Sequence, residues 1–270
     1  MNKMQPKVSF IIPYYNAGST IQETIDSILN QTYKNYDIWI VNDGSTDTKS
    51  IEKLNQYSDT KYIHIINIPN SGPGIARNVA IQNSDAEFIF PIDSDDKMTE
   101  SAIVDSLKEF ELDRHLGVVF GNAKYFGKKD GIKKQRLPDD WSLLISNPIA
   151  NAALIKKCIF DEVGLYDEFL SKPGLEDWEL WIRVFYSKWK MKHIDKIFFE
   201  IRVQEHSRTF QVANTNLDII YSHVYSKHAK TIFEKYLKLY YLNKQINEGI
   251  DMKLSRLLLK PYRLIKKIFQ

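Results

Sequence analysis

Val8-Ser9-Phe10-Ile11-Ile12-Pro13-Tyr14-Tyr15-Asn16 is the stretch that decides the fold. Its β-branched and aromatic residues run unbroken from 8 to 12 and stop at Pro13, the pattern of a buried strand. Working outward, Ser19 or Thr20 is placed to cap a helix, with Gln22 or Glu23 three residues on to complete a capping box. Ile21, Ile25, Ile28 and Leu29 then repeat at helical spacing.

The alternation continues. Residues 36–41 read as a second strand, broken by Asn42-Asp43-Gly44-Ser45, and residues 50–57 as a helix. A third strand is expected at 62–66, then a turn at Asn70-Ser71-Gly72-Pro73-Gly74 that opens another helix. The fourth strand, 87–92, ends in Asp93-Ser94-Asp95-Asp96, and a helix at 99–112 and a strand at 117–123 follow. Strands alternating with helices of about 10 residues predict βαβ units and a mainly parallel sheet covered on both faces. Ligands of such sheets sit outside the carboxyl ends of the strands. Tyr14-Tyr15-Asn16, Asn42-Asp43-Gly44 and Asp93 to Asp96 all fall at such ends, so topology alone gathers them on one rim. Beyond 124 the pattern loosens, with a polar loop at 128–134, an aromatic helix at 176–185, a strand at 197–203 and two helices from about 218 onward.

Asp93, Asp95 and Asp96 crowd three like charges into four residues, which is unfavourable unless a cation neutralises them. Mg²⁺ or Mn²⁺ takes oxygen ligands and shares them with phosphates; a solvated acidic turn capping the next helix is the plainer alternative. Lys97 and the lack of a following glycine rule out a calcium EF-hand loop. No Gly-x-x-x-x-Gly-Lys-Ser/Thr loop is present, and Gly72-Pro73-Gly74 lacks the spacing of a dinucleotide fingerprint.

With 43% hydrophobic and 26% charged residues over 270 positions, the chain is globular in composition. One cysteine, Cys158, excludes an intrachain disulfide and points to a reducing, cytoplasmic compartment. No signal peptide and no uncharged apolar run of roughly 20 residues is visible, so no membrane span is expected. The net charge of +3 divides unevenly, +7 over residues 216–270 and −4 over the rest.

Five blocks, in order, resemble family 2 glycosyltransferases: the opening stretch; Val41-Asn42-Asp43-Gly44-Ser45-Thr46-Asp47; Asn70-Ser71-Gly72-Pro73-Gly74-Ile75-Ala76-Arg77-Asn78; Asp93-Ser94-Asp95-Asp96; and Gly174-Leu175-Glu176-Asp177-Trp178-Glu179-Leu180-Trp181-Ile182-Arg183. The resemblance covers roughly residues 6–210. It implies the GT-A fold, with a catalytic domain at 1–215 (a nucleotide-sugar half at 1–124, an acceptor half at 125–215) and a helical tail at 216–270. It also implies inverting transfer from a nucleotide-diphosphate sugar, a UDP-sugar, to a saccharide or lipid-linked saccharide, with Mn²⁺ or Mg²⁺ as cofactor and no nucleic-acid partner. Position by position, Pro13, Tyr14 and Asn16 line the nucleotide pocket and Asp43 accepts hydrogen bonds from the base. Arg77 helps hold the nucleotide or its diphosphate, Asp93 and Ser94 lie on the donor, and Asp95 ligates the metal. Asp177 is the general base with Glu176 beside it, and His206 is a candidate metal or diphosphate contact with Arg208 nearby.

Plainer roles stand beside these: Asp43 as a turn former, Arg77 as partner of a neighbouring carboxylate, Glu176-Asp177 as a charged first helical turn, Trp178 and Trp181 as core. The chain departs from the family at Lys97-Met98-Thr99, where many relatives have an apolar residue and a proline. A strand ending in Asp-x-Asp also resembles haloacid-dehalogenase phosphatases, with Asp93 as nucleophile, although Lys97 stands where those carry Thr or Val. A non-catalytic sugar-nucleotide-binding or membrane scaffold is a third possibility. Residues 252–270 set Leu254, Leu257, Leu258, Ile265, Ile268 and Phe269 among six Lys/Arg and no acid. That pattern suits a helix in an anionic membrane interface, at the inner face of the cytoplasmic membrane.

Overall fold

In the computed structural model, residues 5–139, 141–204 and 216–249 are described. β1 (Val8–Tyr14) is buried at every position, as its apolar run demands. It pairs in parallel with β2 (Tyr36–Asp43) on one side and β4 (Phe88–Pro91) on the other. β3 (Ile63–Ile68) joins β2 in parallel at the sheet edge. The helices α1 (Ile21–Leu29), α2 (Thr48–Asn55) and α3 (Pro73–Asn83) follow the first three strands. These four strands form the parallel core expected of the GT-A fold.

The second half is mixed. β5 (Lys97–Met98), α4 (Ala102–Leu112), β6 (Leu116–Gly127), β7 (Gly131–Lys133), α5 (Ser142–Ile145), β8 (Leu154–Lys156), α6 (Cys158–Val163), α7 (Glu176–Phe185) and β9 (Lys190–Val203) follow in turn. The strand order is β3-β2-β1-β4-β8-β6-β9-β5, with β7 on β6. β8 runs antiparallel to both β4 and β6, whereas β6 and β9 are parallel. Phe10 packs on Phe90 at 5.8 Å and Phe88 on Phe110 at 4.8 Å between ring centroids. Burying each such ring removes apolar area worth about 2–3 kcal/mol.

Several boundaries differ from the sequence expectation, for local reasons. β2 runs on through Asn42 and Asp43, poor strand formers, because they stay in register with Asn67 and Ile68 and Asn42 Nδ2 donates to Asn67 Oδ1 at 2.9 Å. No capping box forms at α1: Thr20 makes no side-chain cap bond, and its hydroxyl donates to the carbonyl of Ser94 at 2.9 Å. Lys97-Met98 becomes β5 by pairing antiparallel with Glu200 and Phe199 of β9. Lys97 lies 3.3 Å from the Glu200 carboxylate and 4.0 Å from the Phe126 ring centroid. β9 begins at Lys190, well before the expected 197, because β6 supplies partners along its length; its alternating charges hide it from a search for apolar runs.

The chain divides into two compact units, 1–217 and 218–270. α8 (Leu217–Lys227) starts at the last residue of the first, and α9 (Ala229–Gly249) belongs to the second. Among the described residues no helix is long and apolar enough to cross a membrane. Residues 252–270, the expected membrane-surface segment, lie outside the described residues.

Candidate active site

Two clefts meet at Arg77 and Asp93. The first, about 490 Å³, is lined by Pro13, Tyr14, Tyr15, Asn16, Asp43, Asn70, Gly72, Asp93, Ser94 and Asp95, among others. The second, about 370 Å³, is lined by Asp96, Lys133, Asn147, Leu175, Glu176 and Asp177, among others, and shares Arg77 and Asp93 with the first. Pro13, Tyr14, Asn16, Asp43, Asp93, Ser94 and Asp95 line the first cleft, and Asp96, Glu176 and Asp177 line the second.

In the first cleft, the side chains mostly hold one another. Asn16 has a left-handed backbone (φ 50°), which Asn tolerates better than most residues. Its Oδ1 accepts from the amides of Thr46 at 2.8 Å and Asp47 at 2.9 Å, joining the β1–α1 loop to the β2–α2 loop. Asp43 is buried, and its two oxygens accept from Ser71 N at 2.6 Å and Gly72 N at 2.9 Å. It thereby fixes the turn that opens α3. Gly72 has φ 90° there, and a Cβ would come within 2.5 Å of the Ser171 carbonyl oxygen, so only glycine fits. Tyr14 is buried and its phenol donates to Ser50 O at 2.6 Å. Its neighbour Tyr15 is 49% exposed and is the aromatic ring free at this cleft.

Arg77 is the hinge of the site. It is 3% exposed; Nη2 donates to Asp93 Oδ1 and Nη1 to Glu176 Oε1, each at 2.6 Å. Burial opposes its charge, but Asp93 and Glu176 outweigh burial and raise its pKa. Both terminal nitrogens thus engage carboxylates, the plainer of the two roles read from the sequence.

Of the acidic cluster, Asp93 is bound to Arg77, and Asp96 Oδ1 accepts from Arg202 N at 2.9 Å. Burial, then Asp93 and Asp95, push the Asp96 carboxyl well up. Asp95 lines the first cleft, and burial followed by the charge of Asp93 lifts it to about 6. Among the described residues no three His, Cys, Asp or Glu side chains are grouped to hold a metal. Asp95 is the carboxylate of the cluster that faces the first cleft without a bond to Arg77. His206 and Arg208 lie outside the described residues.

In the second cleft, Leu175 adopts a left-handed conformation (φ 60°) just before α7. A non-glycine residue there carries local strain, and the turn presents Glu176 and Asp177 at the helix start. Asp177 Oδ1 accepts from Trp178 N at 2.8 Å and Oδ2 from Asn147 Nδ2 at 2.9 Å. Burial, then the charge of Glu176, raises Asp177 to about 6, with Arg77 and the two hydrogen bonds pulling the other way. Trp178 and Trp181 are fully buried core residues, as expected.

Asn147 opens the mixed segment 147–155, and nothing in the sequence marks it as the partner of Asp177. A lone Asn in an irregular stretch carries no periodic or motif signal; its position comes from Gln135, whose Nε2 donates to Gly121 O at 2.5 Å while its Oε1 accepts from Ala150 N. That clamp closes the loop carrying Asn147. Tyr15, in the strand-end cluster expected on the rim, lines the first cleft.

Comparison with known proteins matches residues 9–164 to glycosyl transferase family 2. An uncharacterized glycosyltransferase of Rickettsia typhi is 30% identical over 227 residues, covering 80% of this chain and 68% of that protein. A chondroitin synthase of Pasteurella multocida is 39% identical over 116 residues, covering 43% of this chain and only 12% of that one. The crystal structure of S. aureus TarS residues 1–349 in complex with UDP-GlcNAc superposes with a TM-score of 0.64 at 16% identity, covering 94% of this chain and 70% of that one, a likeness of fold. A parallel strand core with its polar strand ends on one rim, and a family match over more than half the sequence, make this chain a member of glycosyl transferase family 2.

Proposed function

We propose that this glycosyltransferase moves a sugar, with inversion, from a UDP-sugar in the first cleft to a saccharide hydroxyl in the second. The observation that carries the reading is the shared wall: Arg77 joins Asp93 of the donor cleft to Glu176, the neighbour of Asp177 in the acceptor cleft. Inversion needs attack on the anomeric carbon from the side opposite the departing nucleoside diphosphate, and two adjoining clefts with a carboxylate in each suit that geometry.

Asp177 accepts the proton of the attacking hydroxyl. Its raised pKa makes it a better base than an exposed aspartate and leaves it ionised at neutral pH. Asn147 and the Trp178 amide orient its oxygens. Tyr15 and Asn16 face the nucleotide from the β1 end, and Asp43 offers its remaining lone pairs to the base. Asp95 would hold Mg²⁺ or Mn²⁺, which would offset charge on the diphosphate. The haloacid-type phosphatase reading loses ground, because Asp93 is engaged by Arg77 and the chain belongs to a transferase family.

The acceptor is a lipid-linked saccharide of surface-polysaccharide assembly, and the basic segment 252–270 draws the enzyme to the inner face of the cytoplasmic membrane. Its composition, cationic and apolar with no acid, supports this. The test of the class is calorimetric titration of nucleotide sugars with and without Mn²⁺. Metal-enhanced binding of one UDP-sugar is expected, and absence of binding by every nucleotide sugar would overturn the reading. Truncation after residue 250 should release the protein from membranes.

A further inference from the structure

Resting on the glycosyl-transfer reading, we propose that the acceptor is an anionic saccharide, gripped at its acidic groups by Lys133 at the end of β7 and by Lys134 and Arg136 just after it. Residues 124–140 hold six Lys/Arg and three acids, in a segment 1–215 whose net charge is −4. A net positive stretch against that background attracts anions.

The neighbouring acids meet it only in part: Arg136 lies close enough to Asp139 to attract its carboxylate. Lys124 reaches Glu200 at 3.6 Å, and Asp130 accepts from the amide of Gly131 at 2.8 Å. Lys133 and Lys134 form no ion pair among the described residues. Lys134 and Arg136 are exposed, and Lys133 is half-buried where it lines the cleft that holds Asp177.

Position within the cleft selects the ligand class. Its floor carries Asp93, Asp96, Glu176 and Asp177, which repel an anion, so the hydroxyl beside Asp177 belongs to a neutral part of the acceptor. Lys133, paired across the strands with Ala123, stands at the same cleft with Lys134 and Arg136 next in sequence. An acceptor bearing phosphate or carboxylate a short distance from its reactive hydroxyl matches that division. Arg136 forks either group, and lysine binds either as a point charge.

The test titrates the full-length protein, without donor, with three probes at low and high salt: a glycerol phosphate oligomer, a hyaluronan octasaccharide and neutral cellohexaose. Binding of at least one anionic probe, weakened by salt, with none of cellohexaose, is expected; which of the two binds identifies phosphate or carboxylate. Lys133→Gln/Lys134→Gln/Arg136→Gln should weaken that binding about tenfold, a few-fold per charge, whereas the remote Lys61→Gln should leave it unchanged. Equal binding of cellohexaose, or an undiminished triple variant, would overturn the proposal. So would hairpin-dependent cosedimentation with phosphatidylglycerol vesicles while no glycan probe binds. Thermal melts establish that the triple variant is folded. Since no nucleotide is present, failure here is distinguishable from failure of the donor titration, which tests the transfer reading itself.

Discussion

Asn147 Nδ2 donates to Asp177 Oδ2 at 2.9 Å, from a loop that Gln135 clamps to β6. The bond favours the ionised carboxylate and so restrains the rise that burial and Glu176 impose. Asn147→Ala should raise the Asp177 pKa further and move the acidic limb of the pH–rate profile upward. A charge-assisted bond contributes about 1.5 kcal/mol, so turnover near pH 6 should fall about sevenfold while high pH restores much of it. A pH-independent loss would mean the contact only supports the loop.

Asp177→Asn should lower turnover by about 10²–10⁴-fold, the range for a general base, with donor affinity retained. For the wild type, activity should decline as pH falls through about 6, where Asp177 takes up a proton. The sign for stability is opposite. A carboxyl raised from 3.8 to about 6 in the folded state contributes stability that is full below its unfolded value and lost as pH rises through about 6. The melting temperature of Asp177→Asn relative to wild type should therefore climb between about pH 4 and 6 and then level off, as differential scanning calorimetry can check.

Removing Arg77 leaves Asp93 and the buried Glu176 without their shared cation. Breaking a buried pair in this way costs about 3–5 kcal/mol, so Arg77→Ala should lower the urea midpoint markedly. Arg77→Lys, with a single ammonium in place of the fork, should recover only part of it. Arg77→Met with Glu176→Gln should be more stable than Arg77→Ala alone.

Turnover should be lost on treatment with EDTA and return with Mn²⁺ or Mg²⁺. Asp95→Asn should raise the metal concentration giving half-maximal rate by about tenfold or more, the loss of one charged ligand. Undiminished turnover in EDTA would remove Asp95 from the metal role.

Gly72→Ala forces a Cβ to within 2.5 Å of the Ser171 carbonyl at φ 90°. The substitution should destabilise by about 1–3 kcal/mol and weaken nucleotide binding in proportion to the displaced turn, measurable by thermal melts with and without UDP-sugar.

The rim was legible because polar clusters interrupt apolar strands at Asn16, Asp43 and Asp93, and parallel topology sends such ends to one side. What those side chains touch was not legible. Asp43 in Asn-Asp-Gly reads equally as a ligand or a turn former, and only the approach of Ser71 and Gly72 shows both oxygens engaged by backbone. Arg77 and Glu176 meet across 99 residues of sequence, a distance no local pattern spans. β9 was cut short at its charged half because alternating lysines conceal a strand whose partner, β6, supplies the pairing.

The two backbone bonds at Asp43 have one more effect. They close the Ser71–Gly72 corner in the free protein, so a visiting molecule finds that wall already assembled. Ordering the corner is a cost of folding, and binding is relieved of it. An amide at position 43 would offer one accepting oxygen where the corner uses two, leaving a looser wall to be set at each encounter.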